Sequence, residues 1–380
     1  MTSMHCALLL CLLTGALSAQ AAAPPADPRV AATLTALRVD EAPQPQRSNA
    51  RWQAPRKVLL LAQGNAALAA QAAAFGAVAP GARIVIATDR TVATTEAVDA
   101  DVIIGFNPSI CDARILDGAR ELRWLVSLSA GVENCVGLPA VRAPGVLVTN
   151  MRGVDSPAIA EHAIALMLAL AHGLDGFAAD TARGHWGSDT GSRLRMISVD
   201  GKTLLVSGLG GIGTEVARRA AALGMKVVAT REGGGPVPAF VTYVGQPAEL
   251  LTLAAQADVV VSAVPLTAAT TGLYNKRFFD ALPRGAMFIN VARGASVVTN
   301  DLVQALNDGR VGSAGLDVTE PEPLPPGHPL WRAPRVLITP HISSRSDLPG
   351  DARWILAVEN LRRYAAGERM LLVVDPQRGY

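Results

Sequence analysis

From residue 57 onward the chain alternates short, uninterrupted apolar runs with stretches of helical length. The first series is KVLLLA (57–62), RIVIAT (83–88), DVIIGF (101–106), WLVSLS (124–129) and GVLVTN (145–150). The second is KTLLVSG (202–208), KVVATR (226–231), ADVVVSAVP (257–265), MFINVA (287–292), SAGLDV (313–318) and VLITP (336–340). Runs so rich in Val, Ile and Leu, with no polar alternation, are what strands covered on both faces look like. Such alternation of strand and helix predicts parallel sheets whose ligand-carrying loops lie at the carboxyl ends of the strands.

Between the two series lies DSPAIAEHAIALMLALAH (155–172), with Asp155 or Ser156 placed to cap it and Pro157 in its first turn. It is apolar nearly all round, so it is expected to be buried between domains or subunits, and a homodimer follows as an expectation. The fold class is therefore α/β, with two parallel-sheet domains, Rossmann-like or flavodoxin-like, and a cleft between them. The organisation expected is a signal peptide over 1–21, a linker or arm over 22–55, a substrate domain from 56–152 plus 345–380, and a dinucleotide domain over 153–344. The segment after about Ser344 is one helix and a short tail that returns to the first domain.

The signal peptide is read from an apolar run, Ala7 to Leu17, followed by small residues at Ala19 and Ala21. The run is too short to span a bilayer, and no Lys or Arg precedes it, which leaves the positive charge to the amino terminus and His5. A working signal would make the protein periplasmic or secreted; a misassigned start would leave it cytoplasmic. Residues 22 to about 55 are rich in Pro, Ala and Arg. Two of the four cysteines, Cys6 and Cys11, fall in the leader. Cys111 and Cys135 remain, read as two buried thiols, with pairing as the alternative in an oxidising compartment.

With 34 basic against 32 acidic residues and aromatics at 4%, the chain has neither the charge nor the rings of a nucleic-acid binder, and no charge run suited to a membrane surface. A small-molecule ligand is expected. No Cys/His cluster has zinc-ligand spacing, so no metal is expected.

GLGGIG, with Gly208, Gly210, Gly211, Ile212 and Gly213, directly follows the strand TLLVS and opens the helix IGTEVARRAAALG. Glycines there permit a tight turn and bring backbone N–H groups close to a pyrophosphate at a helix N-terminus. At the end of the next strand, where an NAD site would carry an acid for the ribose, stand Thr230 and Arg231. A guanidinium pairs with a 2′-phosphate that a carboxylate would repel, so NADP(H) is the expected cofactor. Glu232 follows and leaves NAD(H) as the alternative.

Three polar residues follow successive strands of the second series: Arg293 in FINVARG, Glu322 in GLDVTEPEPLP and His341 in TPHISS. Taken singly, these are a first solvated residue, a loop acid and a core histidine. Loops at the carboxyl ends of parallel strands converge on one crevice, so the three can meet despite their distance along the chain.

From about residue 57 to its C-terminus the chain is similar to the D-isomer specific 2-hydroxyacid dehydrogenase family, and most to its glyoxylate/hydroxypyruvate reductase-like branch. The resemblance lies in SAGVENC (129–135), IAEHAIALML (159–168), GLGGIG, VPLTAATTGL (264–273), FINVARG, AGLDVTEPEPLPPGHPLW (314–331) and TPHISS (339–344). The leader lies outside it. The resemblance implies reduction of a small 2-oxo acid to its D-2-hydroxy acid. His341 would be the proton donor, or the base in the oxidative direction. Glu322 would fix the imidazole tautomer and favour the protonated form, and Arg293 would hold the substrate carboxylate and polarise the 2-oxo group. Ala130, Gly131 and Val132 would offer backbone N–H groups to that carboxylate. Asp317 would lie on the nicotinamide carboxamide, with Val264, Pro265, Thr271, Val291, Ala292 and Ser343 bordering the cofactor.

His162 and His172 read as packing or interface residues, and His185 and His328 have no assigned partner. A dinucleotide sensor resembling a corepressor, or a formate- or phosphite-type dehydrogenase, are the rival readings; the formate branch carries Gln where Glu322 stands.

Overall fold

The computed structural model describes residues 26–375 apart from 187, 195, 348 and 349; the signal-peptide reading falls outside the described residues. All eleven apolar runs form strands. Lys57–Leu61 (β2), Arg83–Ala87 (β3), Val102–Gly105 (β4), Trp124–Ser127 (β5) and Leu147–Thr149 (β6) make a parallel sheet in the order β3-β2-β4-β5-β6. Numbered from its own first strand this is 2-1-3-4-5, the flavodoxin-like order. Its central strands β2, β4 and β5 are buried along their whole length, whereas the edge strand β3 leaves Ile86 39% exposed.

The second sheet holds Thr203–Ser207 (β7), Lys226–Thr230 (β8), Tyr243–Gly245 (β9), Val259–Ser262 (β10), Ala286–Asn290 (β11), Val311–Leu316 (β12) and Val336–Ile338 (β13), in the order β13-β12-β11-β10-β7-β8-β9. All its pairs are parallel. Renumbered, this is 3-2-1-4-5-6 with one strand added, the dinucleotide-binding order. It has seven strands where the sequence suggests six; β9 is a three-residue edge strand with Tyr243 exposed, too short to leave a periodic signal.

The long helix Ser156–Ala171 lies on the second sheet. Ala160, Ala163, Leu166, Met167, Leu170 and Ala171 belong to one core cluster with β7, β10 and β11. Much of its all-round apolar character is therefore met inside its own chain. Asp155 precedes the helix but its carboxylate caps nothing. Both oxygens instead accept from Arg353 Nη2 at 2.8 Å, tying the start of this helix to the C-terminal helix Gly350–Ala366.

That C-terminal helix packs on the first sheet: Leu356, Ala357, Leu361 and Tyr364 share a core cluster with β2, β4 and β5. The proline-rich segment read as a linker or arm is not unstructured. Arg29–Leu37 is a helix packed on the C-terminal helix, and Glu41–Pro45 (β1) pairs antiparallel with Arg369–Leu371 (β14). Prolines can occupy such a strand because it lies at a sheet edge, where their missing N–H costs no ladder bond.

Cys111 and Cys135 form a disulfide, with Cα atoms 4.6 Å apart, which corrects the reading as two thiols. They are 24 residues apart in sequence, but β4 and β5 are neighbours, so the loops after them meet. Among the described residues, no single helix is long and apolar enough to cross a membrane, and no group of three His, Cys, Asp or Glu side chains could hold a metal ion.

Candidate active site

His341 follows β13 and takes a left-handed backbone conformation, φ +52°, uncommon outside glycine. Two contacts hold it there. Its N–H donates to the Asp317 carbonyl at 2.8 Å, and its Nδ1 lies 2.6 Å from Glu322 Oε1. A carboxylate only accepts, so Nδ1 carries the proton and Nε2 is left to serve a substrate. The imidazole remains 46% exposed.

Asp317 directly follows β12 and is buried. One carboxylate oxygen accepts from the Thr339 hydroxyl at 2.7 Å and the Ile342 N–H at 3.0 Å, the other from the Ser343 N–H at 3.1 Å. Burial pushes its pKa up, but the Ser343 and Thr339 hydroxyls and these amides outweigh that and hold it below the ordinary carboxylate range. Asp317 thus staples the loop that presents His341, with Ser343 as part of the staple. His162 Nε2 lies 2.8 Å from the Thr339 oxygen. Since that hydroxyl donates to Asp317, His162 Nε2 donates to it, a chain that sequence reasoning missed.

Arg293, at the end of β11, reaches across the cleft. Its Nε donates to Glu133 Oε1 at 2.6 Å and its Nη1 to the Ala292 carbonyl at 2.8 Å. Glu133 lies in the quoted stretch SAGVENC, but nothing in the sequence marks it as a partner for an arginine 160 residues away. Gly131 lies in close approach to this pair: a Cβ at this position would come within 2.1 Å of Arg293 Nη2 and would have to push the guanidinium aside.

The loop around Gly131 is strapped from behind. Asn150 Nδ2 donates to the Ala130 carbonyl at 2.6 Å and Asn107 Nδ2 to the Gly131 carbonyl at 3.3 Å. A trans peptide points its C=O and N–H in opposite directions, so these bonds turn the N–H groups of Gly131 and Val132 the other way. Among the described residues neither N–H has a hydrogen-bond acceptor. An anion there would find two free donors beside a guanidinium.

The glycine loop is shaped for a dinucleotide. Gly208 adopts φ +97°, and a Cβ on Gly213 would lie 2.0 Å from the Gly208 carbonyl, so the helix Gly211–Ala222 can start tight against the strand only with glycine there. A Cβ on Gly210 would meet nothing within 4 Å, and no side chain caps the helix. Open space in front of uncapped N–H groups fits a pyrophosphate. Thr230 is buried, and its carbonyl accepts from the Gly208 and Leu209 N–H groups, joining the end of β8 to this loop. Arg231 next to it donates to the Gly233 carbonyl at 3.0 Å and the Gly235 carbonyl at 2.7 Å.

Of the residues expected at the cofactor's border, Val291 and Ala292 are buried. Val264 lies against the Gly208 turn. The Pro265 carbonyl accepts from Thr270, and Thr271 spends its hydroxyl on the Thr267 carbonyl, so they shape a local turn.

A sequence profile described as D-isomer specific 2-hydroxyacid dehydrogenase, NAD binding domain, matches residues 164–343. The glyoxylate reductase/hydroxypyruvate reductase of Mus musculus is 34% identical over 70% of this chain and 84% of its own length. The chain belongs to the D-isomer specific 2-hydroxyacid dehydrogenase family. This dehydrogenase also resembles the solved family member from Xanthobacter autotrophicus Py2 in complex with NADPH and MES, at 30% identity and TM-score 0.71, covering 86% of this chain and 100% of that one. Its similarity to the NADPH-dependent glyoxylate/hydroxypyruvate reductase from Sinorhizobium meliloti, in complex with NADP and sulfate, is 26% identity and TM-score 0.72, over 86% of this chain and 100% of the other. As a member of this family it is an NAD(P)-dependent oxidoreductase.

Proposed function

We propose that the protein reduces small 2-oxo acids of the glyoxylate and hydroxypyruvate class to D-2-hydroxy acids. The observation that carries this reading is the Glu322–His341 pair, 2.6 Å apart, beside Arg293, whose partner Glu133 at 2.6 Å is influenced by the charges of both Arg293 and His341. When bound, the reduced nicotinamide supplies the hydride for C2. The residues of this chain do the rest. Arg293 and the N–H groups of Gly131 and Val132 hold the substrate carboxylate and fix which face of C2 is presented. Arg293 also draws electron density toward the 2-oxo oxygen. His341 gives its Nε2 proton to that oxygen as negative charge develops on it, while Glu322 on Nδ1 steadies the ring through both protonation states. In the oxidative direction the neutral imidazole removes the hydroxyl proton. Steady-state reduction of a panel of 2-oxo acids, followed by absorbance of the reduced nicotinamide, tests this; no turnover with any of them would refute it.

NADP(H) is the cofactor proposed. Arg231, held by the Gly233, Gly235 and Pro236 carbonyls of the loop after β8, supports it, since a guanidinium already ordered loses little entropy on pairing with a 2′-phosphate. The Xanthobacter and Sinorhizobium relatives, solved with NADPH and NADP, support it as well. A ratio of kcat/KM favouring NADH would overturn it.

The leader is proposed to direct export, and the disulfide, a bond that oxidising compartments maintain, supports that. Mass spectrometry of the mature N-terminus tests it, with an intact Met1 as the refuting result. A homodimer is proposed from the apolar long helix and from two exposed apolar side chains that follow it in sequence, Leu174 at 54% and the fully exposed Trp186. A monomeric mass in light scattering would refute it.

A further inference from the structure

Arg293 carries the substrate carboxylate in the reading above, yet its own fixed partner in the dinucleotide domain is only a neutral carbonyl, that of Ala292. The charge that answers it comes from the other side of the cleft, from Glu133. A guanidinium is a planar fork, and two bonds made by different nitrogens set both its position and its plane. The Ala292 carbonyl holds Nη1 and Glu133 holds Nε, leaving further N–H groups on Nη1 and Nη2 for a ligand. Gly131 lies directly against this pair, its missing Cβ making room for Arg293 Nη2 and, at 2.8 Å, for Glu133 Oε2.

We infer that Glu133 is the positioning residue for Arg293 and, through its charge, selects substrates with a single negative group. Before a substrate enters, the Arg293–Glu133 pair is neutral. A 2-oxo monocarboxylate brings one negative charge to free guanidinium N–H groups and to the amides of Gly131 and Val132. A 2-oxo dicarboxylate brings a second negative charge into a cleft whose guanidinium is already paired with the acceptor-only Glu133 anion. Like charges brought together in a partly desolvated cleft are strongly discriminated against. Burial pushes the Glu133 carboxyl up, but the charge and hydrogen bond of Arg293, with the nearby charge of His341, hold it below the ordinary range, so the anion persists across the working pH range. The inference rests on the reductase reading and deepens it by naming the substrate class.

The test compares the full-length chain with Glu133→Gln and Glu133→Asp. Glyoxylate is the monocarboxylate, oxaloacetate the dicarboxylate, and NADPH binding is followed by fluorescence. Glu133→Gln is expected to raise the glyoxylate KM roughly tenfold with a smaller fall in kcat, and to leave NADPH affinity within about twofold. The oxaloacetate-to-glyoxylate ratio of kcat/KM should rise at least about fivefold, and Glu133→Asp should recover part of the lost affinity. A glyoxylate KM and a substrate ratio both within about twofold of the parent would overturn the inference while leaving the reductase reading intact. If the parent enzyme reduces neither acid, the substrate reading fails by itself. Binding of oxamate, a monoanion that keeps the carbonyl-carboxylate unit but is not reduced, then decides the role of Glu133: weaker binding to Glu133→Gln supports it, equal binding overturns it.

Discussion

Glu322 and His341 lie 19 residues apart in sequence and 2.6 Å apart in the fold, joined through Nδ1 so that the other ring nitrogen is turned to the cleft. The pair is assembled by two loops from adjacent parallel strands, β12 and β13. This places a proton carrier on sheet ends whose positions are fixed by the core, with its tautomer set by a carboxylate.

Replacing His341 by Ala should lower kcat by at least about a hundredfold with little change in NADPH affinity, because only the proton carrier is removed. Glu322→Gln should cost at least about tenfold, since an amide can also donate and so stabilise the wrong tautomer. Steady-state kinetics on both variants, with circular dichroism to show intact folding, check this; a Glu322→Gln enzyme as fast as the parent would dismiss the tautomer argument.

Arg293→Lys keeps the charge but loses the fork, so one ammonium must replace bonds made by two different nitrogens. A fall in kcat/KM of about a hundredfold or more is expected, on the scale seen when one oriented donor is lost from a transition state. Near-parental kinetics would show that geometry at this position is unimportant.

The Asp317 staple has a pH signature. Its folded pKa is depressed, so its stabilisation is complete above the unfolded value of about 3.9 and is lost as pH falls through the lower folded value. Thermal unfolding should therefore show no contribution from Asp317 to any change between pH 5 and 8, and a loss only in strong acid. Asp317→Asn would set an NH2 group against N–H donors and should cost about 2 kcal/mol at neutral pH. It should also reduce turnover by loosening the His341 loop. An unaltered melting temperature at pH 7 would contradict the staple.

The Cys111–Cys135 bond joins residues 24 apart in sequence and closes a loop that itself contains Gly131 and Glu133. Paired Cys→Ser replacement should lower stability by roughly 3 kcal/mol on the chain-entropy estimate, and should raise the substrate KM more than that of NADPH. Denaturant unfolding and kinetics measure the two effects; equal rises in both KM values would mean that the bond supports the whole molecule and not the substrate loop in particular.

The sheets were legible because double-face burial leaves an unmistakable apolar run, and every such run became a strand. The glycine loop, Arg293, Glu322 and His341 were legible because each stands at the carboxyl end of one of those strands. What escaped were relationships that no period encodes. Glu133 is one polar residue in a loop until the cleft places it on Arg293. Asn107 and Asn150 hold the substrate loop through carboxamides that look like ordinary turn residues in sequence. His162 looks like packing on an apolar helix, and its link to Asp317 through Thr339 joins three separate elements. The pairing of Cys111 with Cys135 depends on which loops are neighbours, which is a matter of strand order and not of spacing.

Strand β1 binds β14, near the last described residue, and the C-terminal helix completes the core of the first sheet. The lobe that receives the substrate is therefore written in the two outer portions of the polypeptide, with the dinucleotide lobe inserted between them. The substrate lobe cannot complete its core until segments on both sides of the inserted lobe meet, a closure that spans 322 residues at the Arg363–Glu41 contact, so the catalytic cleft depends on a long-range joining of the polypeptide's outer portions.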